Sequence, residues 1–343
     1  MNRHRLSLTV ITSLLSLIIT VRLGHAQELY EGRRIRMIVS YFPGGGYDAY
    51  SRLIARHLPR HVPGNPSVIV QNMPGAGTVI GANYLHSIAP RDGMVVGIFS
   101  PMQVLREVIG IPGIEFQSEK FNWLVATNVS DVTTCIATRA AKVKSLDDAI
   151  RRRKPLIVAG TGPGSTTVTW PSAYKEILGA NFKIIPGYRG TAGIRAAMER
   201  GEADAGCWQW SSVRVTAKEM MDTGAAVVFT QVGVKGTPEL PHVENALDRV
   251  KTKMDRQILT TLLTEHSMGR SYAAPPAVPR DRVQILRTAF INTLRDPKLL
   301  EEANRIRLQV DPVRGEKVQS MVTDLKKLPR KVVEKIRSII EKR

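Results

Sequence analysis

The chain has 343 residues, of which 43% are hydrophobic and 23% charged. That balance suits one large or two medium globular domains and excludes a disordered or fibrous protein. Formal net charge is +19 and there are two cysteines, too few for a disulfide scaffold.

The first 26 residues read as a secretory signal peptide. Arg3 and Arg5 precede an apolar run from Leu6 to Leu23, and Gly24-His25-Ala26 offers a small-x-small cleavage site. No cysteine lies there for a lipid anchor, and no later run reaches about 18 apolar residues. The expected mature protein, residues 27–343, is exported and keeps a charge of +16. Its basic residues are spread out, clustering only at Arg151–Lys154 and along the C-terminal helices. They read as solvated faces with long-range attraction for acidic ligands rather than as a nucleic-acid site.

One pattern then occurs twice. The strand Ile35–Tyr41 runs into Phe42-Pro43-Gly44-Gly45-Gly46-Tyr47-Asp48 and a helix from about Tyr47 to His61. The strand Ser67–Asn72 runs into Met73-Pro74-Gly75-Ala76-Gly77-Thr78 and a second helix. Glycines let backbone N–H groups point outward at a helix start, where the helix dipole favours negative charge. A third strand, Met94–Ser100, completes a βαβαβ unit, which argues for a parallel sheet covered on both sides.

After a loop-rich stretch a second series begins. Its strands are Thr134–Thr138, Leu156–Ala159, Phe182–Ile185, Ala203–Trp208 and Ala226–Thr230, and the chain ends in helices over 281–307 and 314–342. A third glycine loop, Gly160-Thr161-Gly162-Pro163-Gly164-Ser165-Thr166-Thr167, follows the second of these strands. Two α/β series predict two lobes with a cleft, and ligands of open α/β sheets bind beyond the carboxyl ends of the strands. The lobe boundaries expected are 27–127 with 265–343, and 128–264. Cys135 and Cys207 both fall in apolar strands; an oxidising compartment permits a bridge, and two buried thiols are the alternative.

Catalytic signals are sparse. His57 and His61 are four apart, but no Glu completes a zinc-protease motif and Pro59 falls between them. There is no Gly-x-Ser-x-Gly elbow. Asp48 and Asp204 could be imagined as an acid–base pair, but a carboxylate at a helix start more often caps it. No metal site and no cofactor are expected. The third loop is neither a dinucleotide fingerprint nor a P-loop, since no Gly-Lys-Ser/Thr follows.

Pro43-Gly44-Gly45-Gly46-x-Asp48, Asn72-x-Pro74-Gly75-Ala76-Gly77, Ala89-Pro90-x-Asp92-Gly93, the loop 160–167 and Gly187-Tyr188-Arg189-Gly190 together resemble the substrate-binding receptors of tripartite tricarboxylate transporters, the Bug proteins. The likeness covers most of residues 30–310. It implies a two-lobed α/β fold of the type II periplasmic binding protein kind, without enzymatic activity. It also implies a monomer that captures a small organic carboxylate in the periplasm and delivers it to membrane permease subunits. The ligand residues it implies are Pro43, Gly44, Gly45, Gly46, Tyr47, Asp48, Asn72, Gly75, Ala76, Gly77, Thr78, Thr161, Ser165, Thr166, Thr167, Tyr188, Arg189, Asp204 and Trp208. Two departures stand out. Thr191 occupies a position that is usually glycine, with Arg189 in place of lysine, and Trp208 stands at a usual second acidic position. A Trp208 that lines the site would favour an aromatic or larger apolar acid over citrate. An exported enzyme using the same amides as an oxyanion site, and a receptor signalling to a sensor kinase, are the competing readings.

Overall fold

The computed structural model describes residues 29–129 and 131–341; the leader expected over residues 1–26 lies outside them. In the first half the chain forms β1 (Arg34–Val39), α1 (Gly46–His57), β2 (Ser67–Asn72), α2 (Val79–Ser87), β3 (Val95–Ile98), α3 (Met102–Val108), β4 (Asn122–Ala126) and β5 (Thr133–Thr138). Next come α4 (Leu146–Arg151), β6 (Leu156–Ala159), α5 (Thr166–Leu178), β7 (Phe182–Ile185), α6 (Gly190–Glu199), β8 (Ala205–Gln209), α7 (Trp210–Thr216), α8 (Lys218–Asp222) and β9 (Ala226–Val232). The remainder is α9 (Lys253–Leu262), α10 (Thr264–Met268), β10 (Ser271–Ala274), α11 (Arg280–Thr293), α12 (Pro297–Arg305), β11 (Val313–Arg314), α13 (Gly315–Leu325) and α14 (Arg330–Glu341).

These strands make two sheets. The six-stranded sheet has the order β11-β4-β10-β3-β1-β2 and the five-stranded sheet the order β7-β6-β8-β5-β9. The expected parallel pairing holds for β1 with β2 and β3, and for β6 with β7 and β8. Both sheets are nonetheless mixed. β10 runs antiparallel between β3 and β4, and β5 runs antiparallel to β8 and β9. The fold is α/β, with one lobe on each sheet.

The period-two side-chain pattern of a strand explains the layers. Ile35, Met37 and Val39 of β1 pack into one apolar cluster with Tyr50, Leu53 and Ile54 of α1 and Leu286 and Phe290 of α11. Ile38 points the other way, into a cluster with Ala82 and Leu85 of α2. That second cluster continues through Phe99 and Trp123 to Cys135 and Trp170 of the other lobe, so the lobes share apolar contact away from the cleft. Helix α1 carries Asp48 in its first turn and Arg56 and His57 in its last, matching its dipole. Leu58–His61 continues as a 3-10 turn with Pro59 inside, because proline cannot extend the α-helical ladder. His57 and His61 are bound by Glu302 (2.6 Å) and Asp296 (2.7 Å), fastening α1 to α12.

The long C-terminal helices expected from the sequence are each broken in two, at Asp296-Pro297 and between Leu325 and Arg330. Helix α14 lies against α5 and α9, burying Val332, Ile336 and Ile339. Its Arg337 Nε donates to the carbonyl oxygen of Ile109 at 2.8 Å, so α14 contacts both lobes. Cys135 and Cys207 face each other across β5 and β8 and form a disulfide, both fully buried.

Candidate functional site

A cavity of about 40 Å³ lies between the lobes, at the carboxyl ends of β1, β6 and β8. One wall is Tyr41, Phe42, Gly45, Gly46 and Tyr47 from the first lobe; Thr161 and Ser165–Thr167, Gly190–Thr191, and Trp208, Gln209 and Ser212 come from the second. That volume holds about three water molecules.

Three helices begin at this cavity. The first residues of α1 (Gly46, Tyr47), α5 (Thr166, Thr167) and α6 (Gly190, Thr191) all line it. None of the three has a side-chain N-cap hydrogen bond. Such helix starts present unpaired N–H groups and the positive end of the dipole. Four buried side-chain groups on the same walls also lack a hydrogen-bond partner: Tyr47 Oη, Thr191 Oγ1, Trp208 Nε1 and Ser212 Oγ. Each can donate, and the indole N–H can do nothing else. No Asp, Glu, His, Lys or Cys is among the lining residues. The arrangement suits a small anion held by neutral donors.

Of the residues named from the sequence, Gly45, Gly46, Tyr47, Thr161, Ser165, Thr166, Thr167 and Trp208 meet at this cavity. Gly46 is needed sterically: a Cβ there would stand 2.7 Å from Ser212 Oγ. Trp208 is both wall and core, 1% exposed and packed with Ile194 and Val213.

Four others brace the first loop instead of lining the cavity. Pro43 and Gly44 lie outside on the surface. The Asp48 carboxylate accepts from Gly44 N (3.0 Å), Arg52 Nε (2.8 Å) and Asn72 Nδ2 (2.9 Å). Burial opposes its charge, yet these hydrogen bonds hold its carboxyl below the ordinary carboxylate range. The Gly44 amide is thereby already used.

The second loop, Gly75, Ala76, Gly77 and Thr78, does not reach the cavity. It meets the other lobe at the seam beside it. A Cβ on Gly77 (φ +63°) would lie 2.6 Å from Pro163 O, and Gln103 Nε2 donates to both Gly77 O (2.5 Å) and Gly164 O (3.2 Å). Tyr188 and Arg189 also stand outside the lining; Arg189 instead places its guanidinium over the Phe42 ring of the opposite lobe, 5.1 Å from its centroid. Asp204 lies just before β8, at the far end of that strand from the cavity, where it accepts from Ile157 N at 2.9 Å.

The sequence did not single out Tyr41, Phe42, Gly190, Thr191, Gln209 or Ser212 as ligand residues. Tyr41 and Phe42 flank the triple glycine, so chain adjacency was the available signal. The β8–α7 junction carries no glycine or proline to mark it.

Behind the walls sit two groups of buried ionisable side chains. Glu265 accepts from Thr166 Oγ1 (3.0 Å) and Trp170 Nε1 (2.6 Å), and burial pushes its carboxyl up to about 7. Beside it, burial lowers His266 to about 4. Folded Glu265 therefore holds its proton above the unfolded value of 4.5. Its contribution to stability is full below that value and is lost as pH rises through about 7. Glu265→Gln should flatten this slope: melting temperatures of wild type minus variant fall between about pH 5 and pH 8, and a pH-independent difference would contradict it. The second group is Arg270, 1% exposed, whose Nη1 donates to Asp131 Oδ2 at 3.2 Å and Asn128 Oδ1 at 3.1 Å.

The model of the tripartite tricarboxylate transporter family receptor matches residues 52–343. Protein BugT of Bordetella pertussis is 31% identical over 170 residues, 48% of this chain and 51% of BugT. The chain thus spans about half the length of the curated relatives it matches first. Among solved structures, periplasmic binding protein BugD superposes with a TM-score of 0.71 at 19% identity, covering 90% of this chain and 98% of BugD. MatC from Rhodopseudomonas palustris with bound malate gives 0.68 at 19% identity, covering 90% and 99%. These likenesses identify the fold as that of two-lobed periplasmic binding proteins.

Proposed function

The chain belongs to the tripartite tricarboxylate transporter receptor family, the Bug proteins, and from that premise we propose that it captures a small organic carboxylate in the periplasm for a tripartite permease. The observation that carries this reading is the meeting of three uncapped helix starts and four unpaired buried donors on one cavity. Malate bound to MatC fits the same ligand class. Residues 27–127 with 265–343 would form one lobe and 128–264 the other, and closing them would complete the ligand's hydrogen bonds, giving the closed state its differential affinity.

Binding is favoured over catalysis by the lining itself. Ser165, Thr167 and Ser212 have no general base among the lining residues, and a hydroxyl without one is a weak nucleophile. Export rests on the leader residues Arg3, Arg5 and Gly24–Ala26. Protein from a periplasmic fraction should have an intact mass that starts near Gln27; a mass retaining Met1 would overturn export.

Calorimetry on that preparation tests the binding mode. Any carboxylate that binds should bind at least tenfold more tightly than its neutral amide, a difference of about 1.4 kcal/mol. Each hydrogen bond to a charged group contributes roughly 1.5–3 kcal/mol, so tenfold is a lower bound. Equal affinities would remove the carboxylate reading.

A further inference from the structure

One carboxyl behind the cavity is fastened to the wall itself. Glu265 is 5% exposed. Among the described residues the one basic side chain within ion-pair reach of it is His266, at 3.7 Å. That histidine is no counter-ion near neutral pH, because burial holds it at about 4. Its Nε2 is in any case bonded to Thr133 Oγ1 at 2.8 Å. Glu265 is held instead by two side chains of α5: Oε1 accepts from Trp170 Nε1 (2.6 Å) and Oε2 from Thr166 Oγ1 (3.0 Å). Thr166 is the first residue of α5 and lines the cavity.

The two donors are not equivalent. An indole N–H only donates, whereas a hydroxyl donates or accepts. Oε1 is therefore committed as an acceptor, and a proton taken by this carboxyl belongs on Oε2, donated to Thr166 Oγ1. The Thr166 hydroxyl hydrogen is then released to turn toward the cavity. With Glu265 ionised that hydrogen is drawn back to Oε2, and a buried negative charge stands behind the wall, where it also bears on the lining residues Tyr41 and Tyr47. Both consequences of ionisation oppose an anion in the cavity. One donor is withdrawn, and like charges repel strongly where the dielectric is low.

The surrounding ionisable groups offer no substitute. Burial pushes the Tyr41 and Tyr47 phenols up, so they stay neutral. Asp131 and Arg270, which act on His266, pair with each other at 3.2 Å. Helices α9 and α13 pack against α10 and bury only uncharged side chains.

We propose that Glu265 couples capture of the anion to uptake of a proton: the bound state holds this carboxyl neutral, its proton on Oε2 donated to Thr166, and the Thr166 hydroxyl donating to the ligand. The proton comes from solvent on binding and returns to it on release. Glu265 is a positioning residue, acting through Thr166 and through its charge without touching the ligand. The coupling is reciprocal, so the ligand strengthens proton binding by the same factor as the proton strengthens ligand binding. Free Glu265 titrates at about 7, so affinity is full below that value and falls as pH rises through it. This assignment rests on the carboxylate-binding reading and adds the regulation of that site.

The test is calorimetry of the mature protein with malate, adipate and butyrate. For an acid that binds, wild-type affinity should fall about fivefold or more between about pH 6.5 and pH 8.5. At about pH 7.5 the binding enthalpy should differ between phosphate and Tris buffers by the uptake of a fraction of a proton. In Glu265→Gln the amide offers an oxygen to Trp170 and an N–H to Thr166, reproducing the neutral carboxyl. That variant should keep roughly the wild-type low-pH affinity at both pH values, with no buffer dependence. Thr166→Val should bind more weakly at low pH and show a shallower slope, because it loses the hydroxyl and keeps the charge. Wild-type affinity independent of pH overturns the assignment and leaves the carboxylate reading standing, as does a wild-type slope retained in Glu265→Gln. If Glu265→Gln does not fold, an unchanged slope in Thr166→Val overturns it. A wild type that binds none of the three acids overturns the carboxylate reading, and this assignment with it.

Discussion

Asp131→Ala is expected to destabilise the protein by about 3–5 kcal/mol, lowering the melting temperature by roughly 10 °C. The cause is the Arg270 guanidinium, which is 1% exposed and has Asp131 as its ion-pair partner at 3.2 Å. Removing one member of a buried pair leaves the other desolvated and uncompensated, which costs more than the pair was worth. Two further losses add to this, because the N–H groups of Val132 and Ser211 also use Asp131 Oδ1. Asp131→Asn retains an acceptor for them and should fall between wild type and the alanine variant. Pairing Asp131→Asn with Arg270→Gln should recover part of the loss, since contacting residues are not additive. Melting of Asp131→Ala at the wild-type temperature would mean that water reaches Arg270 and the charge is not buried.

The second large effect is that of the disulfide. Cys135 and Cys207 close a loop of 72 residues, and chain entropy assigns such a closure about 4 kcal/mol. The double variant Cys135→Ala with Cys207→Ala should melt roughly 10 °C lower, with ligand affinity little changed, because neither sulfur lines the cavity. Both cysteines are fully buried, so mild reductant added to the folded protein should act slowly and only through opening. A double variant as stable as wild type would show that the unfolded chain is constrained without the bridge.

What the sequence made legible was punctuation. Strand β6, over 156–159, and β7, over 182–185, were readable to the residue, because each is a short apolar run bounded by Gly, Pro or Asn. The glycine loops before the helix at about Tyr47 and over 160–167 were readable as strand-to-helix junctions, and with them half of the cavity wall. Position in space was not readable. Gly75–Thr78 has the same local pattern as Gly44–Tyr47, yet it faces Pro163 across the seam instead of the cavity. Only the packing of the two lobes separates the two loops. Ser212 and Arg270 arrive from distant segments, one after a strand-to-helix junction without glycine or proline and one just before β10. The antiparallel insertion of β10 was equally invisible, since four residues, Ser-Tyr-Ala-Ala, carry too little periodicity to declare a strand.

That four-residue insertion governs how the molecule comes into being. Tyr272 pairs with Ile98 on one side and with Val125 on the other, joining strands made far earlier in the chain. Until β10 arrives, β3 and β4 are two unsatisfied edges with a gap between them. The first lobe cannot close its sheet before the second has been synthesised. Pairings so distant in sequence pay their loop-closure entropy before they return any stabilisation, which slows folding. No single cut in the chain frees a complete lobe, and a fragment ending before Ser271 would carry open strand edges of the kind that recruit other chains. The two sheets that flank the cavity are, to the folding chain, one indivisible unit.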